Sequence, residues 1–179
     1  MAEDMVEDSQ LWEGIRRREP QAFDALYREM GPRLLRYLRQ IVGNRQAAED
    51  VMQETFSQMW RSPNGFMPER GTLQAYLFGV GRKRAAEWWR NSESAGSNIL
   101  EEGTECKAET ASLVGDAFQR LPEDQRSLLW LREVEGQSYA ELAQILEIPV
   151  GTVRSRLFTA REELRKVWRS TSPARREGA

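Results

Sequence analysis

Apolar residues along this chain recur at spacings of three and four, the period of one helix face, and no segment sustains the apolar/polar alternation of a strand. The first such run starts at Pro20, a residue suited to the first helical position, and carries Phe23, Leu26 and Tyr27. Leu34, Leu38, Ile41 and Val42 continue the stripe until Gly43-Asn44, which reads as a C-terminal cap. The spacing predicts a second helix from about Gln46 to Arg61, ended by Ser62-Pro63-Asn64-Gly65, and a third over Leu73 to Arg90. Asn91 to Thr110 breaks the pattern. It is rich in Ser, Gly and Glu, poor in large apolar residues, and sets five glutamates against Lys107. Such a composition cannot bury enough apolar surface to fold alone and reads as a flexible acidic linker.

A second helical block resumes near Ser112 and runs to about Trp168, ahead of "STSPARREGA", which reads as a frayed tail. Within it "LPEDQRSLLWLREVEG" predicts one helix that carries Leu128, Leu129 and Leu131 and is closed by Gly136. Ser138 stands three residues before Glu141, the capping-box pattern, and opens a short helix with Leu142, Ala143, Ile145 and Leu146. Glu147 to Gly151 then makes a tight turn around Pro149. The last helix buries Val153, Leu157, Ala160 and Leu164, which leaves Thr152, Arg154, Ser155, Phe158, Thr159 and Arg161 on the complementary face. Two short helices with a tight turn, the second basic at its start, form a helix-turn-helix, whose second helix enters the DNA major groove. There Arg pairs bidentately with guanine, while Ser and Thr serve bases or phosphates. A solvated face on an ordinary helical hairpin accounts for the basic run alone. It does not account for the capping box, the small Ala143, the Pro149 turn and the basic face in this order.

Charge sharpens this picture. The chain carries a net charge of -2, yet Glu147 to Trp168 gathers Arg154, Arg156, Arg161, Arg165 and Lys166 against Glu147, Glu162 and Glu163. A surplus of positive charge on one helix of an acidic protein matches a local anionic partner, a phosphate backbone. The 179 residues leave room for one large domain or two small ones. A lone Cys106 excludes an internal disulfide framework, and the absence of His removes both the base for a Cys nucleophile and the ligands of a His/Cys zinc site. No apolar run is long enough to cross a bilayer, and the N-terminal "MAEDMVEDSQ" is acidic where a signal peptide is basic, so the expectation is a cytoplasmic protein. In the first block Asp50, Gln53, Glu54 and Ser57 form a polar face beside Val51, Met52, Phe56, Met59 and Trp60. Taken alone, that is an exposed acidic face on a core helix. A carboxylate-dependent nuclease or hydrolase would use Glu49, Asp50 and Glu54 as metal ligands, but these share one helix, with no second acidic cluster or His to complete a site.

The run from Leu121 to Lys166 resembles the C-terminal, −35-reading domain of extracytoplasmic-function (group IV) RNA polymerase sigma factors, most specifically in Pro149-Val-Gly-Thr-Val-Arg-Ser-Arg156. The resemblance implies base or phosphate contacts from Arg154, Ser155, Phe158 and Thr159, support from Thr152 and Arg156, and a backbone contact from Arg132 on the preceding helix. "AEDVMQETF" is similar to the sigma segment that grips the clamp helices of RNA polymerase, which makes Asp50, Gln53, Glu54 and Trp60 the principal polymerase contacts. A rigid helix with carboxylates beside aromatic anchors suits a basic coiled-coil partner. "FMPERGTLQAYLFGVGRKRAAEWWR" resembles the family's −10 module, in which aromatics with basic neighbours hold unstacked bases. Its candidates are Tyr76, Arg82, Lys83, Arg84, Trp88 and Trp89, with Arg70 in the Glu69-Arg70-Gly71 turn that matches the base-pocket loop. Tyr76 stands where Trp is common and Lys83 where Asn is common. Helical spacing equally allows Tyr76, Leu77, Val80 and Trp88 to be core residues.

Taken as a whole, the resemblance implies an all-α protein of two small helical domains. A region 2 bundle is expected over 1–91, a flexible acidic linker over 92–111, a winged-helix-like or helix-turn-helix region 4 domain over 112–170 and a disordered tail over 171–179. The implied protein is not an enzyme and uses no cofactor, metal or small-molecule substrate. Its implied partners are core RNA polymerase, through the beta-prime clamp helices and beta flap, promoter DNA and an anti-sigma protein, and its implied linker passes through the polymerase cleft. The competing class is a helix-turn-helix regulator without a polymerase role, which calls for a phosphoacceptor or ligand-binding N-terminal domain; the first block has neither alternating strands nor a Gly-rich phosphate loop.

Overall fold

Pro20 at its start and Gly43 just past its end delimit the longest helix of the computed structural model, which describes residues 2–94 and 113–171. Gly43 takes the left-handed conformation that a side chain resists (φ 76°) and returns its N–H to the Arg39 carbonyl at 3.2 Å. We number the helices in chain order: α1 (Ala2–Arg16), α2 (Pro20–Val42), α3 (Arg45–Arg61) and α4 (Leu73–Ser94), with a 3₁₀ turn over Pro68–Arg70, then α5 (Leu113–Gln119), α6 (Glu123–Leu129), α7 (Tyr139–Leu146) and α8 (Val150–Thr171). The described residues contain no strand, so the fold is all-α. Residues 95–112 and 172–179 lie outside them, and with those residues most of the expected linker and tail. The first three residues of the expected linker, 92–94, are the end of α4.

The first half is a bundle in which α2 lies against α1, α3 and α4. Its core combines Leu34, Tyr37 and Leu38 of α2 with Met52, Phe56 and Met59 of α3 and Leu77 and Phe78 of α4. Asn44 caps α3 by accepting the Ala47 N–H at 2.8 Å. Helix α1 was not foreshadowed by periodicity, because its first turns are acidic and, among the described side chains, its apolar side is carried by Leu11, Trp12 and Ile15. Trp12 and Ile15 are nonetheless fully packed in the core. Trp12 meets Phe66 and Tyr76 edge-on, with ring centroids 5.3 and 5.8 Å apart. Asp8 of the same helix accepts the Leu73 N–H at 2.8 Å and so caps α4 from a distant part of the chain.

In the second half the single helix expected from Leu121 to Gly136 is interrupted. After Leu129 the backbone widens into a π-helical turn, where the Glu135 N–H reaches back five residues to the Trp130 carbonyl at 3.1 Å. The inserted residue falls in the last turn of the helix, where too few apolar positions follow to show the shift of phase. The wider turn places the Glu135 carboxylate inside the protein. The capping box at Ser138 and Glu141 forms as expected, with Ser138 N–H to Glu141 at 2.7 Å and Glu141 N–H to Ser138 Oγ at 3.2 Å.

The two halves share one continuous core rather than standing apart. Tyr37 of α2 and Ser127 of α6, both fully buried, exchange a hydroxyl hydrogen bond of 2.7 Å. Burial holds the Tyr37 phenol well above its ordinary range, so it stays protonated. Arg33 donates to the buried Glu135 carboxylate at 2.9 Å, and Gln119 pairs with Gln40 at 2.6 Å. Thr72, which caps α4, donates its hydroxyl to Glu141 of the α7 capping box at 2.8 Å. The end caps of α4 and α7 are therefore one hydrogen-bonded unit.

Candidate nucleic-acid and protein interfaces

Helix α3 exposes Asp50, Gln53 and Glu54 while burying Val51, Met52, Phe56 and Met59, because successive turns of an amphipathic helix assign polar and apolar residues to opposite sides. Gln46 holds Asp50 at 3.0 Å and Arg61 holds Glu54 at 2.7 Å. Trp60 is half-buried, edge-on to Phe23 at 5.0 Å, with the Arg18 guanidinium 5.4 Å from its ring. Phe23, Tyr27, Phe56 and Trp60 form a linked aromatic cluster at this end of the helix. Tyr27, 41% exposed, extends the apolar part of the surface beyond the residues singled out by sequence. Glu49 is not available as a metal ligand: Arg45 and Arg39 hold it at 3.1 and 3.4 Å, and chiefly the Arg45 hydrogen bond lowers its carboxyl below the ordinary value.

The 3₁₀ turn and α4 bring Arg70, Tyr76 and Lys83 to the wall of one cavity of about 310 Å³. Tyr76 is half-buried over the Trp12–Phe66 pair, and its hydroxyl lies against Gly65, where any Cβ would collide with it. Burial raises its phenol above the usual value. Arg82, Arg84 and Trp88 do not join them at this wall. Arg84 braces α3 and α4 through Gln58 and Glu87, the Nε–Gln58 and NH1–Glu87 bonds both 2.7 Å. Trp88 packs on the core, while its neighbour Trp89 donates to the Ile41 carbonyl at 3.3 Å. Arg82 buries its Nε without a hydrogen-bond partner and lies in the electrostatic reach of Tyr37 and Glu123. The far wall of the cavity comes from Gln144, Ile145 and Glu147 of the second half, a long-range contact with no local signature along the chain.

Helix α8 buries Val153, Leu157 and Ala160 against α5, α6 and α7 and leaves Arg154, Ser155, Arg156, Phe158 and Thr159 exposed, with Thr152 half-buried at its start. Phe158 is 67% exposed, more than any other large apolar residue on the described surface. An aromatic ring held in water on a basic helix face has no folding role and is suited to an apolar partner such as a thymine methyl. The Ser155 and Thr159 hydroxyls donate to the Thr152 and Ser155 carbonyls at 3.0 and 3.1 Å, so both side chains lie along the helix. Arg132 donates to the Gln137 carbonyl at 2.6 Å and stacks over Tyr139, and Arg154 approaches the same ring at 5.8 Å. Arg161 is drawn back to Glu133 at 2.7 Å.

Models of two families match the chain: "Sigma-70 region 2" over residues 26–94 and "Sigma-70, region 4" over residues 112–164. The RNA polymerase sigma-H factor of Pseudomonas aeruginosa is 32% identical over 89% of this chain and 93% of its own length. An ECF RNA polymerase sigma-E factor of Haemophilus influenzae is 32% identical over 90% of this chain and 95% of its own. Among solved structures, CnrH in complex with the cytosolic domain of CnrY aligns with a TM-score of 0.69 at 23% identity, covering 94% of this chain and 99% of that one. The sigma factor RpoE of Bartonella quintana, solved with the anti-sigma factor NepR, aligns at 0.63 and 21% identity, covering 82% and 96%. At these identities the two structures bear on the fold.

Proposed function

Since the chain belongs to the RNA polymerase sigma factors, in their extracytoplasmic-function branch, we propose that its three faces divide promoter recognition among them. It is a sigma factor, which binds core RNA polymerase, directs it to promoters through −10 and −35 elements and promotes DNA melting. Asp50, Gln53, Glu54 and Trp60 take the polymerase contact: carboxylates and an aromatic anchor on a rigid helix complement a basic coiled coil. Tyr76, Lys83 and Arg70 hold unpaired −10 bases, with Arg82, Arg84 and Trp88 as the supporting frame of that module. Arg154, Ser155, Phe158 and Thr159 read the −35 major groove, flanked by Thr152 and Arg156, and Arg132 supports the turn. Region 2 is assigned to 1–91 and region 4 to 112–170. Catalysis belongs to the polymerase, and the chain works where that enzyme does, in the cytoplasm. A protein of the kind bound to RpoE of Bartonella quintana is the expected regulator.

The observation that carries this reading is the separation of exposed chemistry: an acidic, aromatic face on α3 and a basic face with a bare Phe158 on α8. The test replaces Gln53, Glu54 and Trp60 together by Ala. Affinity for core polymerase is expected to fall by about 2 kcal/mol for each well-packed anchor, with the helical content unchanged. A folded triple variant with wild-type affinity would remove α3 from the contact.

A further inference from the structure

Arg18, in the turn between α1 and α2, has a φ of 62°, the left-handed conformation that an L side chain resists. The turn demands it. The Glu19 N–H returns to the Gly14 carbonyl and the Arg18 N–H to the Ile15 carbonyl, both at 3.0 Å, the Schellman pattern in which glycine is the usual choice at this position. Its surroundings leave no room to relax. The two helices run so close beside the turn that a Cβ on Gly14 would stand 2.7 Å from that of Ala22, and Pro20 fixes the start of α2 two residues on. For the backbone alone, glycine would serve better than arginine.

The side chain held there reaches the end of α3. Arg18 donates to the Arg61 carbonyl at 3.1 Å, at the last residue of that helix, where no intrahelical N–H arrives and the helix dipole favours a cation. The same guanidinium stands 5.4 Å from the centre of the Trp60 ring, which Phe23 meets edge-on at 5.0 Å. Arg61 in turn holds Glu54 at 2.7 Å. We propose that Arg18 is a positioning residue of the polymerase face: it sets the Trp60 ring and the end of α3 and makes no contact with the polymerase itself. This rests on the assignment of Trp60 to that contact. The Arg18 charge is already engaged by a carbonyl and a ring, and a bare cation would repel the basic coiled coil that the α3 carboxylates complement. A ring ordered before binding spares the complex the entropy of ordering it.

Arg18→Gly in the full chain separates the backbone from the side chain. It relieves the positive φ, so the midpoint of unfolding in denaturant is expected to hold or rise. Affinity for core polymerase is expected to fall about threefold to tenfold all the same. In a Trp60→Ala background the same change brings no further loss, because its effect runs through the ring. Arg17→Gln removes an equal charge one residue earlier, from a side chain that lies 3.4 Å from Glu13, and does not weaken binding. A second readout needs no polymerase. In the free chain labelled with nitrogen-15 at tryptophan, the Trp60 indole signal is identified by its loss in Trp60→Phe. It is expected to shift in Arg18→Gly and to stay in place in Arg17→Gln. Five results would each overturn the proposal: wild-type affinity of Arg18→Gly, an equal loss with Trp60 already removed, an equal loss in Arg17→Gln, a fall of affinity that follows a lower midpoint, or an unmoved indole signal. Wild-type affinity of Trp60→Ala would overturn the functional assignment instead, while the indole signal still decides whether Arg18 sets the ring.

Discussion

Arg132 and Arg154 lie near the same tyrosine ring, and their other surroundings give them different tasks. Arg132 is bound to the Gln137 carbonyl at 2.6 Å and fixes the turn that leads into α7. Arg154 stands exposed one turn into α8, where a guanidinium reaches base edges. Arg154→Ala is therefore expected to cost about 1–3 kcal/mol on the cognate −35 element and to relax preference at one base pair. Arg165→Ala, further along the helix and paired to Glu162, is expected to weaken all sequences evenly. Binding of each mutant holoenzyme to single-base variants of the element at two salt concentrations separates the two; uniform loss for Arg154→Ala would make it a phosphate contact. At the buried seam, Tyr37→Phe takes the Tyr37 hydroxyl away from Ser127, which is fully buried. A loss of about 1–3 kcal/mol in unfolding free energy by denaturant titration is the expected result, and an unchanged midpoint would show that the two hydroxyls are not bonded in solution.

Among the elements, α7 ties its own N-terminal cap to the cap of another helix. Its N-cap Ser138 binds Glu141, and Glu141 in turn accepts the Thr72 hydroxyl from the cap of α4. Ser138→Ala is expected to cost about 1 kcal/mol and to loosen the contact with α4, read as faster amide exchange at the starts of both helices. Burial raises the Glu141 carboxyl, but hydrogen bonds from the Ser138 amide and hydroxyl and from Thr72 outweigh it, so its value lies below the ordinary 4.5. With the folded value below the unfolded one, its stabilisation is complete above about pH 4.5 and is lost as pH falls through the lower folded value. Asp8 and Glu29 line a separate cavity together with Thr72 and Glu141 and add carboxylates nearby. Glu123 acts in the opposite sense, since burial raises it and protonation relieves that cost. Glu141→Gln is expected to flatten the acid limb of the stability curve; an unaltered limb would place the acid sensitivity elsewhere. The elements themselves were largely legible in sequence where local chemistry is strong: Pro20 and Gly43 around α2, the Ser138 box on α7, the four–three–four apolar steps of α8. The acidic α1 and the π turn before Glu135 were not, because α1 is anchored by only a few apolar side chains meeting distant ones, and the inserted residue falls in a last turn with no apolar stripe after it to show the shift of phase.

At the scale of the molecule, the sequence shows two helical blocks but not their contact. That contact depends on polar pairs such as Arg33–Glu135 and Tyr37–Ser127, whose partners lie far apart in the chain and carry no periodic signature. For the same reason the division of the −10 candidates was invisible in sequence: Arg70, Tyr76 and Lys83 line a cavity, whereas Arg84 and Trp88 brace the helices behind it. The exposed faces of α3 and α8, by contrast, followed from helical phase alone. Their joint consequence is promoter-directed initiation, and transcription reconstituted from purified core polymerase and this chain on a library of genomic fragments tests it most directly. The account predicts initiation at a restricted set of start sites sharing a −35 and a −10 element, absent with core polymerase alone and lost with the Gln53, Glu54 and Trp60 triple variant. Transcripts whose start sites are the same with and without the folded chain would contradict it.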